Sequence, residues 1–281
     1  MTDFEPGEPP EVVGISGRTD QPEAVRTATE ACRLFEERGV KVLVDKTLGI
    51  QGYENASLGD IGESSDLVVS IGGDGTILRI SRMISEHEIP ILGVNLGKFG
   101  FLTEVEADDL DEAVDRVCEG DYDVEIRKKL AVTVGGVPEG DVLNEVTVIT
   151  NKPAKMIRYR LYVDDVEIED VWADGILVAT PTGSTAYSLS AGGPVVEPRV
   201  PASIITPLNP FKLSARPLVV SMDRTVTVKV DNPERAEVVL DGQEYVAMEN
   251  PVEVTESNNV AKFVRFGTSF FDKFRAKFLE W

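Results

Sequence analysis

Apolar residues in the first 120 positions form short runs separated by stretches of helical spacing. Val12-Val13-Gly14-Ile15 reads as a brief buried strand, Pro22 to Arg38 as a helix stopped by Gly39, and Val40 to Val44 as a second strand. The cycle repeats: Asp66 to Ile71 is an apolar strand ending in a glycine loop, Thr76 to Ser85 has helical spacing, and Ile89 to Val94 is a further strand. This alternation predicts a parallel α/β sheet. Near residue 121 the pattern changes. β-Branched runs at Ala131 to Val134, Val142 to Thr150, Ile157 to Val163 and Ile176 to Ala179 predict successive antiparallel strands. More are predicted at Leu218 to Ser221, Thr225 to Val230, Glu237 to Leu240 and Val252 to Glu256, with turns such as Asp231-Asn232-Pro233 between them. Phe270 to Trp281 reads as an aromatic-rich amphipathic helix with no evident partner in the β part. The division expected is an α/β domain over 1–120, a β-rich domain over 121–267, and a terminal segment over 268–281 that packs elsewhere.

A length of 281 residues with 42% hydrophobic content supports a full core in one large domain or two. The charge is unusual: 49 acidic against 28 basic residues, net -21. Such a balance argues against nucleic acid as a partner, which requires a basic face. Self-repulsion of this size is relieved by strong screening, so one reading is a halophilic protein from a salt-rich cytoplasm; the other is an ordinary acidic one. Cys32 and Cys118 fall in segments of helical spacing, where a thiol behaves as a small buried apolar group. A single histidine, His87, and no Cys-x-x-Cys pair exclude the usual zinc sets, so a metal is expected to be oxygen-ligated, as magnesium on nucleotide phosphates. No run approaches the ~18 apolar residues of a membrane helix, and the opening MTDFEPGEPP is acidic and Pro-rich, unlike a signal peptide. A cytoplasmic protein with no membrane partner is expected.

The sharpest local feature is Gly72-Gly73-Asp74-Gly75-Thr76, at the carboxyl end of a strand and the start of a helix. Glycines let a backbone approach phosphate closely, and a helix start offers N–H groups and partial positive charge. A carboxylate in such a cradle repels phosphate unless it accepts from a substrate hydroxyl, the base's task in phosphoryl transfer. The alternative is a Gly-Asp-Gly turn that only reverses the chain. A second cluster is Asp174-Gly175, an apolar strand, then the hydroxyl-rich Thr180-Pro181-Thr182-Gly183-Ser184-Thr185-Ala186-Tyr187-Ser188, suited to sugar and base edges or merely structural. Asn144-Glu145 lies inside an otherwise apolar run; its polar groups need partners, which a ribose diol or a neighbouring loop could provide. Lys152, Lys155, Arg158 and Arg160 follow closely, either as pyrophosphate partners or as a solvated strand face.

These motifs in order resemble the NAD kinase family. They are GGDGT at 72–76, NLGKFGFLT at 95–103, Asn-Glu at 144–145, Asp-Gly at 174–175, TPTGSTAYSLSAGGPVVEP at 180–198, LSARP at 213–217 and Asp-Gly-Gln at 241–243. GGDGT is shared with diacylglycerol and sphingosine kinases and, in related form, with phosphofructokinases; the long run after Thr180 is what is specific. The resemblance implies a Rossmann-like parallel α/β domain, a β-rich, sandwich-like second domain, and a terminal helix returning to the first. It implies phosphorylation of NAD to NADP, with ATP, another triphosphate or polyphosphate as donor, a divalent metal such as magnesium, nucleotides in a cleft, and a homodimer or homotetramer. It further implies Asp74 as the base on the 2′-hydroxyl, with Gly72, Gly73, Gly75 and Thr76 as the phosphate-donor loop. NAD would be bound by Asp74, Gly75, Asn144, Glu145, Asp174, Thr185, Ala186, Tyr187, Ser188, Leu189 and Ser190. Arg79, Lys155, Thr206 and Gln243 are further implied contacts, as is Phe101. One departure is Asn209-Pro210-Phe211-Lys212, where many members have a histidine, which puts the polar contacts of that loop in question. A lipid or sugar kinase and a non-catalytic dinucleotide-binding regulator are the competing readings.

Overall fold

The structure, a computed structural model, describes residues 4–97 and 100–278; Lys98-Phe99 of the 95–103 motif, the first three residues of the acidic opening and residues 279–281 of the terminal helix lie outside the described residues. The chain forms two compact units, Met1–Arg127 with Val260–Trp281, and Lys128–Asn259. The chain passes from one unit to the other within two long strands, Asp123–Val134 and Val252–Arg265.

In the first unit, β1 (Val12–Gly17), β2 (Lys41–Asp45), β3 (Leu67–Gly72) and β4 (Pro90–Asn95) pair in parallel in the order β2-β1-β3-β4. Glu54–Ala56 extends the sheet beside β2, and residues 262–263 extend it beside β4. β3 is buried along its whole length, as a strand covered on both faces must be. The covering helices are α1 (Pro22–Glu37), α2 (Leu58–Ser64), α3 (Asp74–Met83) and α4 (Leu110–Glu119). α1 starts with Pro22 in the first turn and buries Ala24, Ala28, Ala31, Cys32, Leu34 and Phe35. Burial pushes the Cys32 thiol up to about 12, as suits an inert core group. The chain runs from β1 outward to β2 and then returns to β3 on the other side of β1. The carboxyl ends of β1 and β3 therefore flank a topological switch point, where open α/β sheets bind ligands.

The terminal helix α5 (Phe270–Phe278) belongs to this unit. Ser269 and Asp272 cap it reciprocally, and the Phe101 ring lies 6.0 Å from Phe270 and 5.9 Å from Phe278.

The second unit is a sandwich of antiparallel strands. One sheet has the order Leu218–Ser221, Ala202–Leu208, Gly175–Ala179, Glu145–Thr150, Ala236–Leu240, Glu244–Ala247. Facing it are Ile157–Val163, paired with Val166–Ala173 and with Val226–Val230. Alternate residues of Ile157–Val163 point inward, so Ile157, Tyr159 and Leu161 join Val146, Val148, Ile176, Val178 and Val238 in one core. Gly175–Ala179 is buried on both faces because Ala191 and Val196 of the 180–198 run pack on Leu177, Ala179, Ile204 and Leu208.

Three elements differ from the periodicity. α3 starts at Asp74 rather than Thr76, because an extended Gly73 ends the strand and an acidic residue suits a helix start. The run Val142 to Thr150 divides into Val137–Val142 and Glu145–Thr150, so Asn144 lies in a break rather than inside a strand. Ala202–Leu208 is a fully buried strand although it contains Pro207, a residue that makes a central strand hard to recognise.

Candidate active site

The glycine loop sits at the switch point. Gly72 has φ +151, and a Cβ there would stand 2.4 Å from Thr76 Oγ1, so only glycine passes. Thr76 N donates to Gly73 O, closing the first turn of α3 beside the loop. A cavity of about 160 Å³, lined by Arg18, Gln21, Gly72, Gly73, Asn95, Leu96 and Gly97, opens at the carboxyl ends of β1, β3 and β4. Its glycine backbone and helix start suit a phosphate group.

Asp74 turns away from this cavity toward the 100–103 segment. Its Oδ2 accepts from Phe101 N (2.9 Å) and its Oδ1 from Leu102 N (3.0 Å) and Thr103 N (3.3 Å). A Cβ on Gly100 would meet Asp74 Oδ1 at 2.1 Å, so this approach also depends on glycine. A carboxylate offers about four lone-pair positions. Among the described residues one position, on Oδ2, is left for a substrate hydroxyl. Arg79 is engaged elsewhere: Nη2 donates to Ser16 Oγ (3.1 Å) and Gly17 O (3.2 Å) and lies 3.7 Å from Asp45.

In the second unit the Asn144-Glu145 break is held by Asp241, whose carboxylate accepts from Leu143 N (3.0 Å), Asn144 N (2.7 Å) and Glu145 N (3.2 Å). The hydroxyl-rich loop is built onto the same break. Thr180 N donates to Asn144 O (2.8 Å), Thr180 Oγ1 to Leu143 O (2.5 Å), and a Cβ on Gly183 would stand 2.1 Å from Asn144 O. Thr185 ends a 3-10 turn, and Tyr187, Ser188, Leu189 and Ser190 form one helical turn after Ala186. Ser188 Oγ bonds Thr206 Oγ1 (3.1 Å) on the neighbouring strand, while Tyr187 and Ser190 stay exposed. Asp174 accepts from Asn209 Nδ2 (2.9 Å), so the loop lacking a histidine still makes a polar contact.

These bonds gather Asn144, Glu145, Thr185 to Ser190 and Thr206 around one break in the sheet. Lys155 and Gln243 are exposed, on a turn after Thr150 and a turn after Leu240. Arg158 pairs with Asp170 through Nε (2.7 Å) and Nη2 (2.6 Å), and Arg160 with Asp231 (2.6 Å), which supports the solvated-face reading of that strand. Sequence reasoning did not single out Arg18, Asn95, Asn209 or Asp241 as site residues. Asp241 and Asn95 carried a signal, their places in the Asp-Gly-Gln and 95–103 motifs, and Asn209 fell in the departure at 209–212.

Glu145 is buried and its Oε2 has no hydrogen-bond partner among the described residues. Burial, and then the Asp241 carboxylate, push its pKa up to about 8 from 4.5, against a hydrogen bond from the Tyr187 backbone. Between those values the folded chain keeps a proton that the unfolded chain has lost. This group therefore favours folding most below the unfolded value, and that contribution falls as pH rises toward 8. Glu145→Gln is expected to flatten this slope and to stabilise the ligand-free protein at pH 8 by ~1–3 kcal/mol. Thermal denaturation of both proteins at pH 5 and pH 8 checks it; parallel pH dependence would remove the buried-carboxyl account.

A glycine loop at the switch point of a parallel sheet, together with a hydroxyl-rich loop on a β-sandwich, places the protein among those that handle phosphorylated nucleotides. Residues 13–122 match the ATP-NAD kinase N-terminal domain and residues 143–266 the ATP-NAD kinase C-terminal domain. The chain belongs to the NAD kinase family. It is 62% identical over 272 residues to the NAD kinase of Methanopyrus kandleri, covering 97% of this chain and 99% of that one. It is 44% identical over 277 residues to the NAD kinase of Methanothermobacter thermautotrophicus, covering 95% and 96%. Its fold is similar to the crystal structure of an NAD kinase from Archaeoglobus fulgidus in complex with ATP, with TM-score 0.80, 33% identity, and 94% and 99% of the two chains covered. Yeast NADH kinase complexed with NADH shares the fold at TM-score 0.86, 24% identity, and 97% and 88% coverage.

Proposed function

We propose that this chain phosphorylates the 2′-hydroxyl of the adenosine ribose of NAD, with ATP as donor, to give NADP. The observation that carries the mechanism is Asp74, fixed at the first turn of α3 by three backbone N–H groups, with one Oδ2 position uncommitted among the described residues. In this reading Asp74 accepts the acceptor hydroxyl's proton. Gly72, Gly73, Gly75 and Thr76 cradle the donor phosphates, and positioning and electrostatics lower most of the barrier. Asn144, Glu145, Asp174 and the 185–190 loop hold the dinucleotide. Burial of the protonated Glu145 supports a role as donor to a ribose or base acceptor. Magnesium, which the family resemblance implies, would be carried by the triphosphate and would neutralise its charge.

The parent reading extends to a cytoplasmic homodimer or homotetramer, as the family resemblance implies. Among the described residues no helix is long and apolar enough to cross a membrane.

A coupled assay of NADP formation, with ATP or polyphosphate as donor at low and molar salt, tests the function. NADP is expected with ATP; tight NAD binding without turnover under every condition would favour a dinucleotide-binding regulator. In the same buffers the melting temperature is expected to rise toward molar KCl, as screening relieves the repulsion of a net charge of -21. A flat or falling melting temperature would remove the salt-rich reading and leave the kinase reading intact.

A further inference from the structure

The segment that holds Asp74 is itself held from behind by two cations of the C-terminal segment. Lys273 Nζ donates to Thr103 O (2.6 Å) and Phe101 O (3.4 Å), and Arg265 Nη1 donates to Leu102 O (3.0 Å). Two of these three carbonyls belong to peptide groups that bond Asp74, while the peptide joining Thr103 to Glu104 gives its N–H to Gly93 O. The peptide joining Phe101 to Leu102 gives its carbonyl to Lys273 and its N–H to Asp74 Oδ1. The peptide joining Leu102 to Thr103 gives its carbonyl to Arg265 and its N–H to Asp74 Oδ1. Hydrogen bonds in line through a peptide group polarise and strengthen each other.

Both cations are buried, with 3% of their surface exposed, so their field is weakly screened. Glu104, whose side chain is fully buried, accepts from both, at 2.8 Å from Lys273 and 3.2 Å from Arg265, and so fixes their heads against the loop. Helix α5 has its own cap in Ser269 and Asp272 and does not need Lys273 to start.

We propose that Lys273 and Arg265 are positioning residues for Asp74, which act through the peptide groups of Phe101 to Thr103 to aim its uncommitted Oδ2 lone pair at the acceptor hydroxyl. This rests on Asp74 being the base. It makes the C-terminal segment a determinant of turnover although neither side chain bonds Asp74 directly, and it predicts a loss in kcat rather than in NAD affinity.

The test is Lys273→Met, alone and combined with Asp74→Asn. The single variant is expected to lower kcat by roughly 10- to 100-fold, because small misplacement of a reacting group costs that much. Its NAD dissociation constant, by titration, should stay within about twofold. Ser269→Ala loosens the same helix without touching the 101–103 segment and should lower the melting temperature while leaving kcat unchanged. In the Asp74→Asn background Lys273→Met should have little further effect, since both act on one group. Should Lys273→Met fail to fold, Lys273→Arg keeps the buried charge but puts a larger planar guanidinium where the compact ammonium contacts both carbonyls, and a several-fold loss of kcat is expected. Unchanged kcat in the folded variant, an equal loss in Ser269→Ala, or an equal loss with and without Asp74 would each overturn the proposal. Failure of the base assignment itself shows separately, as near-parent turnover in Asp74→Asn alone.

Discussion

Asp74→Asn is expected to reduce turnover by on the order of 10² to 10⁴ while NAD affinity changes little. Proton acceptance is needed only on the way to the transition state, whereas ground-state binding is assigned to Asn144, Glu145, Asp174 and the 185–190 loop. The structure adds a second consequence. Both Asp74 oxygens accept backbone N–H groups, Oδ2 from Phe101 and Oδ1 from Leu102 and Thr103. Whichever way an Asn amide turns, its NH₂ faces at least one N–H and leaves that donor without a partner, at a cost of about 1–3 kcal/mol. The substitution is therefore not silent in the fold, although Asn is at home in glycine turns. Turnover must be measured well below the variant's melting point, with NAD binding titrated on the same sample. A folded variant that binds NAD and turns over near the parent rate would sink the base assignment. Lost binding together with lost fold would assign Asp74 to the structure of the loop.

The largest effect on stability is expected from Glu104→Gln. The carboxylate is fully buried and accepts from Lys273 Nζ, Arg265 Nη1 and Phe266 N (2.9 Å). It shares this interior with Glu125, which bonds Arg265 Nε (2.7 Å) and Arg127 Nη2 (2.9 Å). Burial alone raises the pKa of Glu125, yet Arg127 and Arg265 hold it down at about 2. Lys273, with burial and Arg265 against it and Glu104 in its favour, is brought down to about 8. Removing one buried negative charge while the cations remain is expected to cost about 3–5 kcal/mol. At roughly 2–4 °C per kcal/mol for a chain of this size, the melting temperature falls by about 10 °C. Calorimetry near neutral pH measures it. A loss below about 1 kcal/mol would mean that water screens these groups and that the cluster is not buried in solution.

The two architectures were legible in the order of residues because each rests on a short period. Continuous apolar runs alternating with helical spacing define the parallel sheet through Asn95, and β-branched alternation defines the sandwich; both follow from neighbours a few positions apart. The glycine loop was legible for the same reason, since a strand end, a tight turn and a helix start are local. What Asp74 does within that loop was not. Its partners lie 27 to 29 residues further on, in a segment whose own spacing marks no element. The break at Asn144 was hidden because it is made by Asp241, 97 residues away, which takes N–H groups that a continuous strand would have used. Lys273 looked like one more charge on an amphipathic helix, and only the fold buries it against carbonyls about 170 residues distant. By itself the sequence determined the elements, the glycine cradle and the family, all of which depend on residue type at short spacing. The tertiary structure alone decided which polar groups meet in the interior, because a buried charge or N–H selects its partner by proximity in space and no local pattern encodes that partner.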